Sequence, residues 1–185
     1  MFHELIENRR SIRRFTAEPL EQRQIEQLAE AALRAPSSRG LKPWEFIFVT
    51  DRRLLKQLSS VKPHGASFLA GAALGVVVCG NPQISDVWVE DTAIASIYVH
   101  LAAASLGLGS CWIQIRKRKH SDERLSESVV ADLLHIPSHL RVESIIAIGC
   151  PAENKPPHPR ETLQDRLIHW QRFGQPLDPE QDRQK

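Results

Sequence analysis

Residues 91–106 form an almost uninterrupted run of small and apolar side chains, and this run constrains the fold more than any other stretch of the chain. A helix of that composition is apolar on all sides, so it needs cover all round, from lipid, from a globular core or from a second subunit. The run is shorter than the roughly 18 apolar residues a membrane span requires, and Thr92, Ser96, His100 and Ser105 interrupt it. A core or dimer-interface helix is expected, with no membrane association. The rest of the chain can supply the cover: 185 residues suit one domain, and 42% hydrophobic with 25% charged residues is ordinary globular composition. The 24 basic and 22 acidic residues leave a net charge of +2, so any anion binding has to be local.

The elements around that helix follow from periodicity and punctuation. Residues 20–33 place Ile25, Leu28, Ala29, Ala32 and Leu33 on one helical face, with Pro19 just before and Pro36 closing the segment. Residues 44–49 read as a buried strand, and Asp51 is placed to cap a helix carrying Leu54, Leu55 and Leu58. The loop 62–65 leads to a short helix around Phe68, and the β-branched run 74–79 is a strand covered on both faces. After Gly107 and Gly109, strands are expected over 110–115 and 142–148, with a helix over 123–134 between them. Helices and strands mix without a strict βαβ rhythm, so the expected class is α+β or irregular α/β, with helices covering a single sheet. Residues 151–160 are proline-rich and extended, and the apolar residues of 163–173 need a surface to cover, so this arm is expected to embrace a partner. The expected organisation is one domain over 1–173, with 151–173 as the arm and 174–185 as a loose polar tail.

No metal-protease, kinase, hydrolase-elbow or Walker motif is present. Gly107-Leu108-Gly109 lacks the third glycine of a dinucleotide fingerprint and follows a helix, not a strand. His135 and His139 stand four apart but lack a nearby cysteine or carboxylate, so they read as surface residues, while His100 reads as a core histidine bonded to backbone. Cys79, Cys111 and Cys150 lie in apolar segments without a CxxC pair and are expected to be buried free thiols. The N-terminus carries acids and arginines where a secretory signal has its apolar centre, so a cytoplasmic location is expected.

Two clusters carry chemistry. Residues 9–14 hold Arg9, Arg10, Arg13 and Arg14 with Ser11, a set whose guanidinium forks suit a phosphate or an anionic ring, or else a solvated charged face. The loop 35–46, with Pro36, Ser37, Ser38, Gly40 and Lys42 before Trp44, offers donors beside apolar walls, as a heteroaromatic ring with carbonyl edges would require, or else is a capped turn. Trp44, Phe68 and Trp88 are candidate pocket walls, with core packing as the alternative for each. The basic run 116–120 is a candidate nucleic-acid patch, but without a stacking-aromatic pattern it reads better as a solvated loop, so no nucleic-acid partner is expected.

The arginine-rich opening, the Pro-Ser-Ser loop leading into Pro43-Trp44-Glu45-Phe46, and the stretch Gly107-Leu108-Gly109-Ser110-Cys111-Trp112-Ile113 resemble the nitroreductase family in order and separation, from about residue 2 to 173, with Trp88-Val89-Glu90-Asp91 opening the central helix. The resemblance implies an α+β fold with a central mixed, largely antiparallel sheet flanked by helices, a homodimer with FMN at the subunit interface, and NADH or NADPH as electron donor. It implies that Arg9, Arg10, Ser11 and Arg13 contact the ribityl, phosphate and pyrimidine edge of FMN, and that Arg160 closes on the phosphate. Pro36, Ser37 and Ser38 would come from the other subunit, and Trp112 and Ile113 would lie along the flavin. Gly40 and Lys42 stand where the family usually has Asn and Gln, and His158 stands where another basic residue is common. No catalytic side chain is then needed, because the flavin carries the electrons. The expected activity is ping-pong transfer from NAD(P)H to an electron-poor acceptor such as a nitroaromatic, quinone or enone. An FMN-binding sensor or carrier is the alternative, and a nucleic-acid-binding protein a more distant one.

Overall fold

Asp51 shows how directly local chemistry sets the elements. Its carboxylate accepts the N–H groups of Arg53 and Leu54 at 2.7 and 3.0 Å, satisfying orphan donors at the start of the helix α3 (Arg52–Leu58). The computed structural model describes residues 2–176; of the expected tail 174–185, residues 177–185 lie outside the described residues. Before α3 come the helices α1 (Phe2–Asn8) and α2 (Gln22–Leu33) and the strand β1 (Trp44–Val49). After it follow β2 (Leu74–Gly80), α4 (Trp88–Ser105), β3 (Gly109–Gln114), α5 (Ser126–Leu134) and β4 (Arg141–Gly149).

The four strands form one sheet in the order β1-β2-β4-β3, every neighbouring pair antiparallel. Among the described residues, the parallel character that the sequence led us to expect is confined to a single bridge between Ser11 and Ser110. A register shift at Val78/Cys79 leaves Glu143 of β4 as a bulge residue. The strand alternation sorts two cores onto the two faces. Val77, Cys79, Ile113, Ile145 and Ala147 pack with Leu55 and Leu58 of α3 and Val130 of α5, and Leu74, Val76, Val78, Ile146 and Ile148 pack with Leu28 of α2 and Val99 of α4. Each fully buried leucine or isoleucine contributes about 1.5–3 kcal/mol.

The helix α4 begins at Trp88, where the Trp88-Val89-Glu90-Asp91 stretch was expected to open it, and is covered on one side only within this chain: Ala95, Val99 and Ala103 are buried, but Ile97 is 44% exposed, with Ile94 and Tyr98 at 38% beside it. Two expectations need correction. Leu33, expected on the buried face of α2, is exposed because the helix ends there and the chain turns away at Pro36. The helix α5 starts at Ser126 instead of 123, since Glu123 takes a left-handed φ of 68° and Leu125 bridges to Lys119.

The chain divides into two compact units, one ending at Lys155 and one beginning at Pro156. In the second, short 3-10 turns at Arg160–Thr162 and Asp165–Leu167 are followed by a bridge between His169 and Pro176. Its large apolar residues Leu163, Leu167, Ile168, Trp170 and Phe173 are all exposed. Among the described residues, no helix is long and apolar enough to cross a membrane.

Candidate functional site

After α1 the chain runs extended along the outer edge of β3. Ile12 N–H donates to Ser110 O at 3.0 Å, and Thr16 N–H donates to Cys150 O at 2.9 Å. Two glycines make this approach possible: a Cβ on Gly109 would stand 2.7 Å from Ile12, and one on Gly149 3.0 Å from Phe15. Residues 151–155 lock the segment from its other side. Glu153 Oε1 accepts the N–H groups of Arg13 and Arg14 at 2.6 and 3.2 Å, and Lys155 Nζ donates to Ser11 O at 2.8 Å. Lys155 also pairs with Glu153 Oε1 at 3.2 Å, and these bonds hold the Glu153 carboxyl below its ordinary value, the Arg13 N–H being the largest cause.

The side chains released by this backbone pinning converge. Arg9 and Arg10 line a cleft of about 210 Å³ with Asn8, Gly107, Asn154 and Lys155. The Arg13 guanidinium lies 5.7 Å from the centre of the Phe68 ring. Cys111 marks the focus: burial raises its thiol, while Arg13, the Ser11 hydroxyl, Lys155 and Arg9 all act in the opposite direction. Arg9 also adds to burial in pushing His100 down to about 4, so this ring is neutral at pH 7. His100 Nδ1 stands 2.7 Å from the Ser110 hydroxyl and the ring stacks against Trp112, so the expected backbone bond is replaced by a side-chain one. Three cations and a hydroxyl thus surround the start of β3, and the neighbouring carboxylate, Glu153, is engaged with backbone N–H groups and Lys155. An anion of phosphate size is what this arrangement can hold.

The second cluster lies elsewhere. The 37–42 loop is a tight turn in which Arg39, Gly40 and Lys42 take φ of 54°, 67° and 48°. Lys42 N–H donates to the Ser37 hydroxyl at 2.9 Å, and Ser38 N–H to Asp91 Oδ1 at 2.7 Å. Asp91 is buried and receives the Ser85 hydroxyl on its other oxygen at 2.9 Å. Pro36, Gly40 and Lys42 are exposed. This loop enters β1 at one edge of the sheet, whereas Ser11 docks on β3 at the other, three interstrand steps of about 4.8 Å away. It also joins the opposite strand end, because Trp44 pairs with Gly80 while Ser110 pairs with Ile148.

The structure therefore brings Arg9, Ser11 and Arg13 together, with Arg10 on the adjoining cleft, and keeps 36–42 apart from them. Trp112 spends its indole on His100 and on a 3.0 Å bond from Nε1 to Gln114 Oε1. Ile113 is fully buried in the opposite core, so its side chain cannot lie along a ring, and only its backbone can. Arg160 pairs with Asp165 inside the second unit, where His158 is also exposed. Trp44 is core, packed on Phe46; Phe68 carries Arg13, and Trp88 carries Arg116 at 5.6 Å. Cys79 and Cys111 are buried free thiols, whereas Cys150 is partly exposed. Sequence reasoning missed Lys155, Glu153 and Asp91; the Glu-Asn-Lys spacing just past β4 was the available signal for the first two. Among the described residues no group of three or more His, Cys, Asp or Glu could hold a metal ion.

Comparison with known proteins adds an independent finding. The sequence pattern of the Nitroreductase family matches residues 6–63 and 60–150. A protein of Archaeoglobus fulgidus, provisionally named NADH dehydrogenase/NAD(P)H nitroreductase, is 36% identical over 155 residues, covering 82% of this chain and 86% of its own. The oxygen-insensitive NADPH nitroreductase of Salmonella typhimurium is 33% identical, covering 95% and 75%. A solved FMN-dependent nitroreductase from Clostridium difficile R20291 superposes with a TM-score of 0.90 at 39% identity, covering 91% of this chain and 98% of its own.

Proposed function

The chain belongs to the nitroreductase family, and from that premise we propose that it is an FMN-dependent oxidoreductase that takes electrons from NADH or NADPH and passes them to an electron-poor acceptor. The observation that carries this reading is the convergence of Arg9, Arg13, Lys155 and the Ser11 hydroxyl beside β3, with the Glu153 carboxylate already engaged. A phosphate with an attached ring system fits that set, because Arg9 and Lys155 on the cleft answer the phosphate and leave Arg13, held over Phe68, for the polar edge of the ring. Arg9, Arg10, Ser11 and Arg13 would hold the cofactor, with Trp112 and the backbone of Ile113 beside it. When bound, FMN supplies the two-electron chemistry. Arg13 would stabilise negative charge at the pyrimidine edge, and neutral His100 keeps a competing positive charge out of the layer behind β3.

The reading requires a second copy. Pro36, Ser37, Ser38, Gly40 and Lys42 lie at the far edge and far end of the sheet from Ser11, so they would complete a site belonging to the partner. The half-exposed α4 face and the uncovered apolar residues of 163–173 support a homodimer in which that arm embraces the partner and brings Arg160 to the phosphate. Transfer is ping-pong, with nucleotide and acceptor using one face in turn, and the acceptor a nitroaromatic, quinone or enone.

The test is an absorption spectrum of the purified protein followed by anaerobic addition of NADH and of NADPH. A flavin spectrum that bleaches, and that is weakened by Arg9→Ala with Arg13→Ala, is expected. A colourless protein that FMN cannot reconstitute would overturn the reading, and bound flavin that neither nucleotide reduces would move it to a carrier.

A further inference from the structure

The turn that follows β3 carries charge the site above does not use. Gln114 NH₂ bonds to Arg116 O at 3.1 Å, and Arg118 N–H closes the turn on Ile115 O at 3.0 Å, with Lys117 at a φ of 58°. Further along the loop the charges are already answered: Lys119 pairs with Glu123, and His120 with Asp122. Arg116 is half-buried over the Trp88 ring, with the buried Glu143 close enough to feel its charge. Lys117 and Arg118 are exposed, and among the described residues neither meets a carboxylate. A fourth cation stands behind them. Lys62 Nζ donates to Gln114 O at 3.0 Å, and Arg118 lies near enough for its charge, after burial, to lower the Lys62 ammonium. Four cations therefore gather just past the end of β3, which lies two residues, or about 7 Å, beyond Trp112.

We infer that Lys117 and Arg118 form a recognition site for the ribose 2′-phosphate of the reducing nucleotide, so that this enzyme prefers NADPH to NADH. The inference rests on the function proposed above. A nicotinamide ring that reaches the flavin leaves its adenosine end to extend outward, and the cations at the end of the same strand meet a phosphate that NADH lacks. A guanidinium fork and an ammonium on consecutive exposed residues of one turn, neither paired with a carboxylate among the described residues, are suited to a phosphate monoester. The relatives' names, which include both NADH and NADPH, leave the choice to features of this kind.

The experiment uses the FMN-loaded protein and two probes that cannot be oxidised, 2′,5′-ADP and 5′-AMP, with binding read by titration calorimetry. 2′,5′-ADP is expected to bind about 10-fold more tightly or better, the scale of one charge-assisted contact. The double variant Arg118→Ala, Lys117→Asn should bring the two probes within about twofold, because asparagine tolerates the left-handed backbone at 117. Anaerobic bleaching by NADH should stay at the unsubstituted rate in that variant, while bleaching by NADPH slows about 10-fold. Equal binding of the two probes by the unsubstituted protein, or a discrimination that survives in the variant, would overturn the inference. Either result in a flavin-loaded, NADH-reducible protein leaves the proposed activity standing; a protein that takes up no FMN sinks that activity instead.

Discussion

Replacing Glu143 with glutamine should stabilise the protein above neutral pH and do little below it. Glu143 is 4% exposed at the bulge of β4, its Oε2 finds no hydrogen-bond partner among the described residues, and burial raises its carboxyl to about 7 against the pull of the Ser144 hydroxyl and the Arg116 charge. A carboxyl whose folded value lies above its unfolded one takes up protons on folding. Its favourable contribution is complete below the ordinary 4.5 and is lost as pH rises through about 7. Moving from 4.5 to about 7 costs the folded state about 3 kcal/mol at pH 8 and under about 1 kcal/mol at pH 5. Glutamine has the same shape and no charge to desolvate, so Glu143→Gln relieves the pH 8 cost and keeps only the smaller burden of an amide. The advantage of the variant over wild type should grow by about 2–3 kcal/mol between pH 5 and pH 8, or about 5–10 °C in Tm for a chain of this size. Thermal melts followed by circular dichroism at four pH values, at constant flavin loading, measure it. A difference in Tm that is the same at pH 5 and pH 8 would refute the reasoning, because it would mean that Glu143 titrates no differently in the folded and unfolded chains.

Two further outcomes test the site's surroundings. His100, held at about 4 by burial and Arg9, contributes stability that is complete above 6.5 and lost as pH falls toward 4. Denaturant midpoints of His100→Asn should therefore slope less than wild type between pH 6.5 and 4.5, and parallel slopes would count against a buried neutral ring. Asp91→Asn weakens two charge-assisted bonds, from Ser38 N–H and the Ser85 hydroxyl, and should cost about 2–4 kcal/mol. Hydrogen exchange should speed up at 38–42 in that variant, and unchanged protection there would show that Asp91 does not hold the loop.

Much of the fold was legible because its signals are local. The β-branched run of β2, the Asp51 cap and the small apolar residues of α4 each act within a few residues. The start of α5 was not legible, since charged residues at 123 and 124 look like a first helical turn until the Leu125–Lys119 bridge claims that stretch. Ile113 was placed beside the ring by the family resemblance; strand alternation turns its side chain away from that of Trp112, and the packing with residues of α3 and α5 fixes it in the core. Of the site, the four arginines between residues 9 and 14 were visible from composition alone. Lys155 was not, because its meaning comes from Ser11, 144 residues earlier.

That separation bears on how the protein is made. The arginine-rich segment is among the first parts of the chain synthesised, yet the groups that seat it, Glu153 on Arg13 and Lys155 on Ser11, arrive 140 and 144 residues later. Contacts of such long range form slowly, after the loop between them has been ordered. The anion cradle is thus the last part of the first unit to close, and its ligand cannot nucleate the sheet; it acts on the finished chain, drawing the folding equilibrium toward completion by mass action. A nascent or truncated chain ending before residue 153 would keep the bonds from Ile12 N–H to Ser110 O and from Thr16 N–H to Cys150 O but lack the Glu153 and Lys155 clamp on the arginine-rich segment. Cellular flavin supply should accordingly set how long the mature protein survives and leave the rate at which it first folds unchanged.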